Sequence, residues 1–241
     1  METIVIFSAG KGTRMGSVSD ATPKPLIRIR GKPLLQHALE ITKTHKFDRI
    51  IINTHHLHTQ IEEFIKGFRE ENPFFPDIIL EYEECLLETA GTIKKLNKLY
   101  DLGERIFTIN SDVIIKHKGN VFDLMIKAWE SSRPDILLLL QDTKNAFGYT
   151  GNGDFNLEND GSINKDGPEP YPYMFAGMHI LNPQKISQIA DNICSFREFY
   201  PGIGKFSSQT ICKAITMNGL WYHATRPEDI EVIESLVKNS D

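Results

Sequence analysis

Five short runs rich in Ile, Val and Leu, with a helical pattern between each successive pair, constrain this chain more than any other feature. The runs are Thr3 to Ser8, Arg49 to Thr54, Ile78 to Tyr82, Arg105 to Asn110 and Asp135 to Gln141, each of strand length and apolar enough to be buried on both faces. Between them, Pro33 to Thr44, His58 to Glu70, Gly91 to Tyr100 and Val121 to Glu130 repeat apolar residues at helical spacing. Strand and helix in alternation predict βαβ units, hence an α/β fold with a doubly wound, mostly parallel sheet. A chain of 241 residues suits one such domain, divided into a first half at 1–141 and a second at 142–241.

After Gln141 the texture changes to Gly-, Asn- and Asp-rich sequence. Asp160-Gly161, between Phe155-Asn156-Leu157 and Ser162-Ile163, marks a β-hairpin that would act as a lid. Regular elements then return: a strand near Met174 to Leu181 and helices near Pro183 to Ile193, Ser207 to Met217 and Pro227 to Lys238.

Composition removes several function classes. A net charge of -5, with Lys and Arg scattered, argues against a nucleic-acid partner, so any phosphate site must be local. Cys85, Cys194 and Cys212 are odd in number and far apart, which fits reduced thiols and neither a disulfide framework nor a zinc site. No apolar run approaches the roughly 20 residues of a membrane span. The first apolar run begins at Thr3, with no charged stretch and longer apolar core of a signal peptide before it. A cytoplasmic location is expected; nothing specifies an oligomer.

Chemistry concentrates after the first strand, in Ser8-Ala9-Gly10-Lys11-Gly12-Thr13-Arg14-Met15-Gly16 and Thr22-Pro23-Lys24-Pro25-Leu26. Glycines there let backbone N–H groups approach phosphate oxygens, and Arg14 and Lys24 supply the charge to neutralise a polyphosphate. Gly10-Lys11-Gly12 alone is equally a structural turn. Lys24 adds weight, because the flanking prolines present it from a stiff segment. The G-x-x-x-x-G-K-[ST] loop of P-loop NTPases is missing, as is a clean G-x-G-x-x-G for a dinucleotide oxidoreductase. Asn110-Ser111-Asp112 ends a predicted parallel strand, so Asp112 borders the crevice where open sheets bind ligands and could meet a phosphate-held metal; the alternative is a turn residue.

These segments resemble the sugar-1-phosphate nucleotidyltransferases, whose signature reads A-G-x-G-T-R, T-P-K-P-L and G-K-P-L, here Ala9 to Arg14, Thr22 to Leu26 and Gly31 to Leu34. The likeness continues through Asn53 to His56, Leu87-Glu88-Thr89-Ala90-Gly91, Asn110 to Asp112, Gly153-Asp154-Phe155, Phe175-Ala176-Gly177, Trp221 and Pro227-Glu228-Asp229. Leu87 to Gly91 and Gly153 to Leu157 are most similar to the short uridylyltransferases acting on N-acetylmuramate 1-phosphate in peptidoglycan recycling. The resemblance implies a Rossmann-like nucleotidyltransferase fold with the hairpin over the sugar. It implies catalytic roles for Arg14, Lys24 and Asp112, and nucleotide contacts from Ala9, Gly10, Gly12, Thr13, Glu88, Thr89 and Gly91. Sugar contacts would come from Asp154, Phe175 and Gly177. The partners implied are an NTP and a sugar 1-phosphate, with Mg²⁺, or Mn²⁺, as cofactor.

One position departs from the family. Where it reads W-x-D-x-G-T-P-E-D, this chain has Trp221-Tyr222-His223-Ala224-Thr225-Arg226-Pro227-Glu228-Asp229, so His223 replaces the second metal-binding aspartate. A transferase for another NTP with a hexose 1-phosphate or phosphocholine, and a nucleotide-sugar-binding protein without turnover, stay open beside the main reading. His55, His56 and His58 are read as structural, and Glu81-Tyr82-Glu83-Glu84 as a strand end with solvated faces where Glu83 or Glu84 could border the base pocket.

Overall fold

The structure, a computed structural model, describes residues 1–238. From the N-terminus, β1 (Thr3–Phe7) enters the glycine loop and a short helix α1 (Ser17–Ala21). A small hairpin of β2 (Arg28–Ile29) and β3 (Lys32–Pro33) leads to α2 (Leu34–Thr42). Alternation follows in β4 (Arg49–Thr54), α3 (His58–Glu71), β5 (Asp77–Tyr82), α4 (Glu88–Leu99) and β6 (Ile106–Asn110). Next come β7 (Val113–His117), α5 (Val121–Ser132) and β8 (Ile136–Asp142). The remainder holds β9 (Ala146–Phe147), β10 (Asn156–Leu157), β11 (Ile163–Asn164), β12 (Tyr173–Leu181) and α6 (Pro183–Ile189). The last elements are β13 (Cys212–Thr216), β14 (Gly219–His223) and α7 (Pro227–Lys238).

The central sheet has seven strands in the order β13-β8-β12-β6-β1-β4-β5. Neighbours run parallel except β12, which is antiparallel to both β6 and β8. Successive side chains on a strand point to opposite faces, and the core divides accordingly. Ile4, Ile6, Ile50 and Ile52 pack with Leu35, Ile61 and Phe122 of α2, α3 and α5. Val5, Ile51 and Leu138 pack on the other face with Ile93 and Leu96 of α4 and Ile186 of α6. Each fully buried side chain of this kind contributes about 1.5–3 kcal/mol of transfer free energy, so one sheet residue out of register would expose its apolar set. β12 and β13 of the second half enter the sheet beside β6 and β8 of the first.

A second, three-stranded sheet, β7-β14-β9, stands beside this core. Its residues Ile114 and Tyr222 pack with Met15 from the end of the glycine loop and Ile233 of α7, which anchors that loop. The expected hairpin forms as β10 and β11, and its turn is tied down: Ala214 N donates to Gly161 O (2.8 Å) and Lys213 Nζ to Asp160 Oδ2 (2.8 Å).

Three expectations need correction. The stretch Ser207 to Met217 is no helix but a 3-10 turn, Ser207–Gln209, followed by β13. Cys212 and Ala214 are buried while Lys213 is only partly so, the alternation of an edge strand beside β8, and that tertiary pairing overrides the chance helical spacing. Secondly, β7 and β14 form where no strand is anticipated. Finally, α6 stops at Ile189, four residues early, because the chain turns back there to bond with α4 through Cys194 O. Among the described residues no helix is long and apolar enough to cross a membrane.

Candidate active site

Three side chains far apart in sequence meet at the carboxyl end of the sheet. Lys24 Nζ lies 2.5 Å from Asp112 Oδ2 and 3.0 Å from His223 Nε2, which is itself 3.0 Å from the same carboxylate oxygen. Lys24 opens a 3-10 turn between Pro23 and Pro25 and is buried, so its ammonium is held in place by backbone stiffness and packing. Asp112 sits in the two-residue link from β6 to β7, fixed to β1 through Ser111 N donating to Phe7 O (3.1 Å). His223 ends β14 opposite Val113, and its Nδ1 lies 3.1 Å from Thr225 Oγ1. Burial alone would raise the Asp112 carboxyl, but the charges of His223 and Lys24 against it prevail and hold it well below the usual carboxylate range.

One cavity, of about 300 Å³, opens over the glycine loop. Ala9, Gly10, Gly12, Thr13, Arg14, Lys24, Glu88, Thr89 and Asp112 all line it. Gly12 has a φ of 64° and a Cβ there would stand 2.9 Å from Lys24 Cβ, so loop and lysine fit together only with glycine at that position. Glu88 begins α4 with a φ of 60°, a left-handed conformation costing about 1–3 kcal/mol in a non-glycine residue and found most at functional sites. Gly91 lines neither this cavity nor the next: a Cβ there would meet Asn192 O at 2.5 Å, and Ala90 N and Gly91 N both donate to Cys194 O.

Glu83 differs from the solvated strand end anticipated. It is 2 % exposed, and its Oε1 accepts from Asn53 Nδ2 (2.9 Å) and Thr92 Oγ1 (2.5 Å). Asn53 Oδ1 in turn accepts from Ser8 N (2.8 Å), so a buried network links β4, β5 and α4 to the start of the glycine loop. Sequence patterning cannot show this burial, since Asn53 lies 30 residues from Glu83 along the chain. His55 donates to Glu83 O and His56 to Ser19 O (both 2.8 Å), in keeping with structural roles.

The second cavity, about 490 Å³, is lined by Asp154, Phe175, Gly177 and His223, and by Tyr149, His179, Arg197 and Tyr200, which sequence reasoning missed. Arg14, Thr89, Asn110, Asp112 and Thr225 line both cavities, so the two meet along the wall that carries Asp112. Asp154 Oδ2 accepts from Phe175 N (2.9 Å) just before the bulge of β12, where Gly177 has a φ of 89°. His179 is buried between Thr108 Oγ1 (2.9 Å) and Tyr200 OH (2.6 Å), and burial pushes its imidazole down to about 3.

Asp112 and His223 are the groups available to a metal, and among the described residues no group of three or more His, Cys, Asp or Glu gathers to hold one. A cation that takes most of its ligands from phosphates and water needs little more than one protein carboxylate, which Asp112 supplies. His223 fits a nitrogen ligand whose other ring nitrogen is oriented from behind, here by Thr225.

Known proteins match along nearly the whole chain. The sequence profile of the family described as nucleotidyl transferase matches residues 3–207. An N-acetylmuramate alpha-1-phosphate uridylyltransferase of Caulobacter vibrioides is 30% identical over 227 residues, covering 93% of this chain and 92% of that protein. One from Neisseria meningitidis is 30% identical over 186 residues, covering 77% of each. Among solved structures, HddC from Yersinia pseudotuberculosis complexed with GMP-PN superposes with a TM-score of 0.76 at 23% identity, covering 98% of this chain and 100% of that one. A UDP-glucose pyrophosphorylase bound to UDP-glucose reaches 0.74 at 16% identity over 100% of both chains, a likeness of fold. The chain belongs to the nucleotidyl transferase family and is an enzyme of the sugar-1-phosphate nucleotidyltransferase type.

Proposed function

We propose that this enzyme transfers the uridylyl group of UTP to N-acetylmuramate 1-phosphate, forming UDP-N-acetylmuramate and pyrophosphate. The observation that carries the reading is the meeting of a glycine-loop cavity and a larger cavity of mixed polar and apolar lining at Lys24, Asp112 and His223. The 30% identity to the Caulobacter uridylyltransferase over 93% of the chain supports the choice of base and sugar.

In this reading an oxygen of the sugar phosphate attacks the α-phosphorus of UTP in line. The new P–O bond forms as the bond to the bridging oxygen of pyrophosphate breaks, and that oxygen leaves with the electron pair. No general base is needed, because a phosphate monoester is already anionic at neutral pH. Lys24, held at the shared wall against Asp112, neutralises the α-phosphate and Arg14 the departing pyrophosphate. Asp112 and His223 would hold a divalent cation, Mg²⁺ or Mn²⁺, which when bound adds charge neutralisation on the phosphates. Ala9, Gly10, Gly12, Thr13, Glu88 and Thr89 position the nucleotide, and Asp154, Phe175 and Gly177 the sugar. One domain serves both substrates, and the reaction fits a cytoplasmic step of peptidoglycan recycling.

Pyrophosphate release over a matrix of NTPs and sugar 1-phosphates, with Mg²⁺ and with Mn²⁺, tests the proposal. UTP with N-acetylmuramate 1-phosphate should give the highest kcat/KM. A tenfold preference for another pair, about 1.4 kcal/mol in transition-state binding, would remove it.

A further inference from the structure

The second cavity carries two arginines. Arg14 is shared with the nucleotide side, whereas Arg197 lines the acceptor side alone. Arg197 lies in the 3-10 segment Phe196–Phe199, whose Phe196 and Phe199 are buried in the core, and its N–H donates to Ser195 Oγ (3.3 Å). Phe196 N also donates to Thr89 Oγ1 (2.9 Å), tying the segment to α4. The backbone that carries Arg197 is therefore fixed. Among the described residues its guanidinium forms no ion pair, although it is exposed and Asp154 lines the same cavity. Asp154 is occupied by Phe175 N.

Ile203 lines the same cavity at 36% exposure, a few residues on in the loop that turns back at Tyr200 (Ile203 N to Tyr200 O, 3.2 Å). An unpaired guanidinium fork and an open aliphatic side chain on one short segment suit a ligand group that ends in a carboxylate and carries a small alkyl branch. Apart from its phosphate, a neutral hexose phosphate carries no anion to offer the fork.

We infer that Arg197 recognises a carboxylate on a short branched ether substituent of the acceptor sugar, with Ile203 against its methyl group. This rests on the acceptor named in the proposed function, whose 3-O-lactyl group has that chemistry. Arg197 thereby separates the carboxylated amino sugar from its neutral counterpart, because a fork built for two charge-assisted hydrogen bonds selects strongly for a ligand that makes them.

The test is steady-state kinetics of the wild type, Arg197→Gln and Arg197→Lys with UTP and either N-acetylmuramate 1-phosphate or N-acetylglucosamine 1-phosphate. Arg197→Gln should lower kcat/KM for the carboxylated sugar by about 100-fold, mainly through KM, and change that for the neutral sugar less than about threefold. Arg197→Lys, which keeps the charge without the fork, should fall between. A UTP-dependent rise in Tm equal to that of the wild type checks that each variant is folded and binds nucleotide. Equal losses on the two sugars, or no loss on the carboxylated one, would overturn the assignment of Arg197 and leave the proposed reaction standing. A wild type that itself prefers the neutral sugar would overturn both.

Discussion

The two cavities share a wall yet are built from different materials. The proposed nucleotide side takes most of its residues from the ends of parallel strands β1, β4, β5 and β6 and the segment after β1, joined by the start of α4 and by Thr225, so most appear where the sheet must deliver them. Away from the shared wall, the proposed acceptor side is assembled from turns, a 3-10 segment, the bulged strand β12 and the end of β14, spread over residues 148 to 225. Backbone passes so close there that Gly148 and Gly153, at φ 83° and 79°, have carbonyl oxygens of His223 and Tyr171 within about 2 Å of where a Cβ would be. In the proposed function, regular structure thus positions the phosphate chemistry, and less regular structure positions the group that varies between acceptors.

The largest effect expected falls on the first side. Lys24→Ala and Asp112→Asn should each lower kcat by about 10³-fold, or roughly 4 kcal/mol, while both variants stay folded by circular dichroism. A near-normal kcat in either would take that residue out of the reaction and break the contrast. The acceptor side should be more sensitive to backbone change. Gly148→Ala forces β14 away from residue 148 and should cost about 2–3 kcal/mol of stability together with a more than tenfold fall in kcat/KM. Gly103→Ala, at φ 72° with open space around it, isolates the strain alone and should cost about 1 kcal/mol. Equal denaturation midpoints for the two would show that the close approach at His223 is unimportant.

A third, smaller effect is a pH dependence seated on the acceptor side. His179 titrates at about 3 in the folded chain and near the ordinary histidine value of about 6.5 when unfolded. Between these values only the unfolded chain takes up the proton, so stability present in full above pH ~6.5 is lost at about 1.4 kcal/mol per pH unit on acidification. Chemical denaturation at pH 7 and pH 5 should show about 2 kcal/mol less stability from this group at pH 5, and His179→Gln should be flatter by that amount. Identical slopes would place the acid sensitivity elsewhere. The smallest effect sharpens the comparison at the shared wall. A neutral imidazole suits Mn²⁺ better than Mg²⁺, so metal titrations should favour Mn²⁺ for the natural protein, and His223→Asp should improve apparent Mg²⁺ affinity by about tenfold. An unchanged metal preference would remove His223 from the metal.

The same contrast explains what the sequence makes legible. The strands and helices of the first half announce themselves because βαβ units need long apolar runs at fixed periods. Lys24, Arg14 and Asp112 stand out because their local segments, a proline clamp, a glycine turn and a strand end, have a chemical reason of their own. Tyr149 and Arg197 carry no such mark, and only folding brings them to one cavity. β13 shows the limit in the other direction: Cys212-Lys213-Ala214-Ile215-Thr216 is too short for its period to decide, and its pairing with β8 does so. Glu83 lines the first cavity, but its burial escapes the sequence for a related reason, since it depends on Asn53 and Thr92 covering it from other elements.

The wall common to both cavities also bears on how a joined ligand leaves. A nucleotide and a sugar linked through a diphosphate would occupy both cavities at once, and when one end lets go the other keeps it at high local concentration. Such a molecule dissociates only when both ends are free together, more slowly than either fragment. Steric overlap along Arg14, Thr89, Asn110, Asp112 and Thr225 means that a fresh substrate on one side cannot settle fully until that departure is complete. A non-hydrolysable analogue spanning both cavities should therefore outcompete either substrate alone.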